Sequence, residues 1–439
     1  MTRHAFPADL ARAVADKWTA PVVGSFRRPP LPNPDQLRAL LEVAYLAGQE
    51  TDEGRSLAFT LCCTPEAENV RRHDRDELIE SWTVAAPRAF DVQEVRRLAV
   101  TADLDTMAIW VTYTGDRLTV KGLLNVGASW AQARQGFAFH YDSLPFAVTV
   151  RADGPGKLTV YQGPVALASL AGGQLHHTGF AAGSMHGLRP LFDDGHRYFE
   201  DLIENPVHAP VAMARDFEWT AYTTTLLAIV NAIRQRGHGG ALILAGAASP
   251  LAQPQQRLVK LKYELAGAHA HLADRYVRLM SLRNALADLQ WRSELDPHAI
   301  EPLPPDLNGL RLAYFEVRDA NQQLAETCAC VGHLAGTDGA VVLRTDLSVL
   351  GFGAEILLEQ MPAAPVYEVS GTSLASRTLL DSEQFGMRHR SAMRLCAAVS
   401  DAAVFVISQD GGVGLVFSNA GRVCFRRDIN TTSASMPYS

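Results

Sequence analysis

The run GGALILAG, residues 239–246, is a continuous apolar stretch closed by glycine at both ends. A strand with one face in water alternates apolar and polar residues, whereas an unbroken apolar run of this length is the form of a strand buried on both faces of a layered α/β sheet. Just upstream, Trp219, Tyr222, Leu226, Ile229, Val230 and Ile233 follow helical spacing, with Asp216 placed to cap the helix and Gly237 to end it. A helix feeding a buried strand predicts the entry to an α/β domain.

The elements that follow extend this pattern. Two proline-containing links, SPLAQPQQ and DPHAIEPLPPD, bracket a segment in which Leu258, Leu261, Leu265, Ala268, Leu272, Leu279, Leu282, Leu286 and Leu289 fall on a heptad track broken by Arg275. This predicts a helical insertion at about 252–306, a long helix or helix pair packing on its own domain, with Lys260, Lys262, His269 and His271 on the solvated side. LAYFEVRD reads as a strand-like start to an amphipathic helix. TDGAVVLRTDLSVLGFGAEI reads as a hairpin turning at Arg344–Asp346. A polar link leads to the helix FGMRHRSAMRLCAAVS, the strand AAVFVIS, the turn QDGG and a last strand, VGLVFS. The expected fold of residues 213–435 is α/β, a mixed twisted sheet flanked by helices.

Residues 1–212 read as a separate α+β domain. Two short helices, Phe6–Trp18 and Pro34–Ala47, precede strand runs SLAFTLCC, TMAIWVTYT, RLTVKGLLNV, FAVTVRA and KLTVYQG. TGDR and DGPG have the composition of hairpin turns between neighbours. His176, His177 and His186 lack a carboxylate or thiol at ligand spacing and read as loop histidines. Asp103 and Asp105 precede a strand and fit a polar turn. No chemistry is legible in this half.

Composition removes several function classes. A net charge of −7 over 439 residues argues against a general nucleic-acid binder. The six cysteines (Cys62, Cys63, Cys328, Cys330, Cys396, Cys424) lack paired metal spacing and the density of a disulfide scaffold, so they read as buried thiols in a reducing cytoplasm. No signal peptide and no apolar run of membrane-spanning length is present, which predicts a cytoplasmic protein without membrane contact.

Against this acidic background, Arg388, His389 and Arg390 stand side by side directly after Gly386 and Met387, at the start of a helix. A ligand with several anionic oxygens, such as a polyphosphate, would use all three, assisted by backbone N–H groups at the helix start. Asp338-Gly339-Ala340 opens a buried strand, and Ser408-Gln409-Asp410 closes the next one. Strand and helix ends are where layered α/β folds bind ligands. Asp338 and Asp410 are placed to hold a divalent cation against phosphates.

In this order, the three pieces resemble the diadenylate cyclase domain, the family that joins two ATP molecules into cyclic di-AMP. Its signatures are DGA, then GTRHR followed without gaps by a small-residue helix, SDA, an apolar strand and SEE-x-G. The string here is GMRHRSAMRLCAAVSDAAVFVISQDGG, with SDA at Ser400–Ala402. The resemblance covers roughly residues 215–430. It implies that Asp338 helps bind Mg²⁺ or Mn²⁺ and activates a 3′-hydroxyl, and that Gly339 and Ala340 let the nucleotide approach the backbone. It further implies that Arg388, His389 and Arg390 contact ATP phosphates beside Gly386 and Met387, and that Ser408 and Asp410 match the first and third positions of SEE. Two protomers would meet face to face in a homo-oligomer, each 3′-hydroxyl attacking the other's α-phosphate. The upstream half looks like the sensor modules that accompany such cyclases, an analogy of architecture.

Three features depart from the family pattern. The threonine before RHR is Met387, removing a hydroxyl whose bond to phosphate is worth about 1–3 kcal/mol. The first SEE glutamate is Gln409, and the stretch between the first buried strand and DGA is far longer here. Two functions therefore stay open: a regulated, metal-dependent diadenylate cyclase, or a catalytically degenerate domain that binds a nucleotide as a sensor or interaction module.

Overall fold

The computed structural model describes all residues except 1–3, 19–29, 67–78, 105, 128–146, 163–164, 178–187, 189–190, 204, 208–210, 247–248, 250, 252–257, 270, 294–306, 359–363, 370–376, 410–411, 428, 430 and 432–439. The chain divides into two compact units, Met1–Phe180 and Ala181–Thr432. Each is an open mixed sheet flanked by helices.

In the first unit, α1 (Pro7–Lys17) and α2 (Pro34–Ala47) precede a two-residue hairpin, β1 (Thr51–Asp52) with β2 (Arg55–Ser56). Then come β3 (Ala58–Pro65), β4 (Ser81–Ala89), α3 (Val92–Thr101), β5 (Met107–Thr114), β6 (Arg117–Asn125), β7 (Val148–Asp153), β8 (Leu158–Gln162), β9 (Val165–Ala171) and β10 (Gln174–His177). Eight strands pair in the order β10-β9-β8-β7-β3-β5-β6-β4, with β3 and β5 parallel. Side-chain alternation sorts the two faces. Leu61, Cys63, Ile109 and Val111 meet Leu10, Val14, Leu37, Leu40, Leu41 and Val95 of the helices, while Cys62, Ala108, Trp110 and Leu124 build a second core on the far face. Asn33 and Gln36 cap α2 reciprocally, the Asn33 carboxamide accepting from Gln36 N–H at 2.8 Å. The TGDR and DGPG turns join β5 to β6 and β7 to β8 as expected. Asp103 accepts from the Thr106 N–H and hydroxyl, a polar turn, while Asp105 and His186 lie outside the described residues. Strands β4, β9 and β10 and helix α3 add to the elements expected from sequence.

The second unit contains α4 (Asp193–Glu200), α5 (Val211–Gln235), β11 (Gly240–Ala245), β12 (Val259–His269), α6 (His271–Ser293), α7 (Leu307–His333), β13 (Ala340–Arg344), β14 (Val349–Ile356), β15 (Val366–Val369), β16 (Arg377–Leu380), α8 (Met387–Ala398), β17 (Ala402–Ile407), β18 (Val413–Asn419) and β19 (Arg422–Arg426). Nine strands pair as β12-β14-β13-β11-β17-β18-β19-β15-β16, with β11 in the interior and parallel to β13. Helix α8 buries Ala392, Met393, Leu395 and Cys396 on one face, against Ile243, Ala340, Val342, Val404, Val406 and Val416. Helices α5 and α7 pack together, and α5 lies against β11 and β17. Phe199 of α4 sits 4.7 Å from the Tyr276 ring and 6.1 Å from Tyr222, so the second unit reaches upstream of residue 213.

Several local expectations are corrected. The 252–306 segment is not helical throughout: Val259–His269 is an edge strand paired with β14, and the helix begins at His271. Leu258, Leu261 and Leu265 satisfy a helical spacing, but Val259, Leu261 and Tyr263 also alternate with Lys260, Lys262 and Glu264, and the open edge of β14 selects the strand. Helix α6 packs along α7 of its own unit. LAYFEVRD is helical within α7, where Leu310, Val317, Ala320, Leu324, Cys328 and Val331 form the buried stripe and Phe315 is exposed. Asp216 lies inside α5, not at its cap, because helix-compatible residues continue back to Val211. The polar link holds β15 and β16, and β19 follows VGLVFS. Cys330 is exposed, whereas the other five thiols are buried; burial pushes Cys62 up to about 12 and Cys328 and Cys396 well above the ordinary thiol range. Among the described residues no helix is long and apolar enough to cross a membrane.

Candidate functional site

Strand register decides which of the sequence-selected residues can meet. Ala241 of β11 lies beside Ala340 of parallel β13, and Gly240 lies beside Ile407 of antiparallel β17. Asp338 and Gly339 before β13, Gly239 before β11, and Ser408 and Gln409 after β17 therefore share one end of three adjacent strands. That end is about 10 Å wide at ordinary strand spacing.

Helix α8 brings its first turn to the same end. Gly239 has φ +66°, and a Cβ built on it would stand 2.8 Å from the Ile407 carbonyl, 3.1 Å from Arg388 Nη1 and 3.2 Å from the Gln409 N–H nitrogen. The absent side chain is the space in which Arg388 crosses the start of β11. Sequence reading missed Gly239 as part of this corner, although its glycine pair with Gly240 was visible.

The three basic residues separate in space. Arg388 is exposed at the sheet end. His389 turns into an aromatic group, 5.4 Å from the Phe385 ring and edge-on to Phe425 at 5.7 Å. Arg390 Nη1 donates to Glu383 Oε2 at 3.0 Å, a half-exposed pair. Arg427 lies over the Phe385 and Phe425 rings, and its Nε donates to Glu368 at 2.6 Å. Consecutive residues on a helix diverge by about 100°, so one turn points RHR to three surroundings. Gly386 is the extended N-cap, and Met387 is 73% exposed at the first helical position.

Asp338 is exposed, and its backbone carbonyl accepts a hydrogen bond from Lys262 Nζ at 3.2 Å. Gly339 has φ +125°, and a Cβ there would stand 2.5 Å from the Gly353 carbonyl carbon, so the neighbouring strand already requires glycine at this position. Ala340 is 4% exposed beneath α8. The Ser408 N–H donates to the Gly412 carbonyl at 2.9 Å, closing the loop after β17; Gln409 is exposed, and Asp410 lies outside the described residues. Of the expected metal pair, Asp338 alone is described. No group of three His, Cys, Asp or Glu side chains among the described residues is arranged to hold a metal ion.

The SDA string lies at the opposite end of the sheet, where Ala402 pairs with Ala245. Asp401 accepts from the buried Ser249 hydroxyl at 3.1 Å, tying the start of β17 to the loop after β11. Its role there is architectural.

In the first unit, a cleft of about 310 Å³ lies between β4 and the start of α3, lined by Arg88, Asp91, Gln93, Glu94 and Arg97 among others. Glu94 is mostly buried and paired with Arg88 at 2.5 Å and Arg97 at 3.4 Å, so the cleft's central charge is matched internally. Residues 27–125 match the family described as probable sensor domain DACNV. The match runs from before α2 through β6 and takes in this cleft. No curated protein and no solved structure matches the chain.

Proposed function

We propose that the second unit binds ATP at the sheet end formed by Asp338, Gly239, Arg388 and Ser408, and condenses two ATP molecules into cyclic di-AMP under control of the sensor-like first unit. The observation that carries this reading is the register that gathers DGA, the first turn of α8 and the loop after β17 at one sheet end. The sensor-family match upstream supports a regulated catalytic or binding partner in the same chain. Arg388 supplies charge to the phosphates, and Ser408 offers a hydroxyl at the strand end. Asp338, with Asp410, would hold Mg²⁺ or Mn²⁺, which neutralises phosphate charge when bound. Two protomers placed face to face would align each 3′-hydroxyl with the other's α-phosphate, pyrophosphate leaving; catalysis is then mainly positioning.

The test is incubation of the full chain with ATP and Mg²⁺ or Mn²⁺, with mass spectrometry for cyclic di-AMP. Product whose rate per chain rises with protein concentration is expected from the face-to-face arrangement. A specific observation favours the second reading, nucleotide binding without turnover: Arg390 is held by Glu383, His389 faces Phe385 and Phe425, and Met387 brings no hydroxyl to the first turn. Tight ATP binding with no product under either metal would decide for that reading.

A further inference from the structure

We infer that Lys262 is a phosphate-binding residue of this site, delivered by the strand that lengthens the chain between β11 and the Asp338 corner. The inference rests on the ATP-binding reading and adds to it a residue that the sequence had placed on the solvated side of a helix.

Strand β12 pairs with β14 in a register that sets Tyr263 beside Phe352 and Leu261 beside Ala354. This brings Lys262 alongside Gly353, whose backbone in turn abuts Gly339. A Cβ on Gly353 would stand 3.1 Å from Lys262 Cβ and 3.3 Å from its Cδ, so the aliphatic stem lies along that glycine towards the DGA corner. There its Nζ donates to the Asp338 carbonyl oxygen at 3.2 Å. Lys262 is exposed, and among the described residues no ion pair holds it. An ammonium has three donors, so this bond leaves capacity for an anionic oxygen.

The charge pattern gives the chemistry. Arg388 approaches the sheet end from the β11 and β17 side, and Lys262 approaches it from the β12 and β14 side, with Asp338 between them. Two cations flanking one exposed carboxylate suit a ligand that is anionic along its length, a nucleoside polyphosphate. A lysine acts there as a compact point charge whose long stem adapts to the phosphate.

The experiment measures ATP binding by calorimetry, and thermal unfolding, for the full parent chain, Lys262→Met and Lys262→Arg. The expected result is at least a tenfold loss of ATP affinity in Lys262→Met with an unchanged melting temperature, and affinity within threefold of the parent in Lys262→Arg. Unchanged ATP affinity in Lys262→Met overturns the inference. So does a loss that comes with a lowered melting temperature and is not restored by arginine, since Lys262 would then only brace the Asp338 backbone. A parent chain that binds no ATP defeats the nucleotide reading itself, and the role of Lys262 with it.

Discussion

Arg388 Nη1 lies 3.1 Å from the point where a side chain on Gly239 would begin. The relationship links the start of β11 to the first turn of α8 across some 150 residues of chain. It makes Gly239 a positioning residue for the guanidinium. Gly239→Ala places a Cβ at positive φ, a strain of about 1–3 kcal/mol, and forces Arg388 and the loop at Gln409 aside. ATP affinity is expected to fall in Gly239→Ala in the same direction as in Arg388→Ala, while the double variant is little worse than either alone. Calorimetric titration of the three proteins checks this, and fully additive losses would show that the two residues act independently.

Arg390 and Glu383 give a prediction of opposite sign. Their pair is half exposed, and such pairs contribute about 0–1 kcal/mol. Glu383→Gln releases the guanidinium at little cost in stability, and ATP affinity is expected to rise up to about fivefold. Arg390→Ala should weaken ATP binding less than Arg388→Ala. Equal losses in the two arginine variants, with no gain in Glu383→Gln, would show that Arg390 already serves the ligand.

Asp338 is exposed, and its structural hydrogen bond uses the backbone carbonyl, not the carboxylate. Asp338→Asn is therefore expected to abolish cyclic di-AMP formation and to leave unfolding within about 0.5 kcal/mol of the parent. Mass spectrometry and a denaturation curve on the same preparation test both halves. Product formation equal to the parent's would remove Asp338 from the chemistry.

Met387 and Gln409 stand where the family pattern has a hydroxyl and a carboxylate. Both side chains are exposed in this structure, so exchange to Met387→Thr and Gln409→Glu disturbs no core. For a slowed cyclase, the double substitution should raise turnover by about tenfold, equivalent to about 1.4 kcal/mol of transition-state stabilisation. Absence of product from both proteins, with tight ATP binding by the parent, is the outcome expected of a binding module.

What the sequence by itself determined are the elements whose local pattern permits one environment. GGALILAG became an interior strand because an unbroken apolar run needs cover on both faces, and the TGDR and DGPG turns joined the strands that flank them. The start of α8 after Gly386 was legible for the same local reason. Tertiary structure decided the rest. Leu258, Leu261 and Leu265 fit a helix or a strand, and only the unpaired edge of β14, some ninety residues away, made Val259–His269 a strand. That choice moved Lys262 from an expected solvated helix face to the Asp338 carbonyl. It was likewise neighbours from other elements, Phe385 and Phe425 around His389, Glu383 beside Arg390 and Gly239 beneath Arg388, that divided one basic triplet among three environments. Periodicity reports which residues share a face of their own element; what that face meets is fixed by pairing and packing between segments distant in the chain.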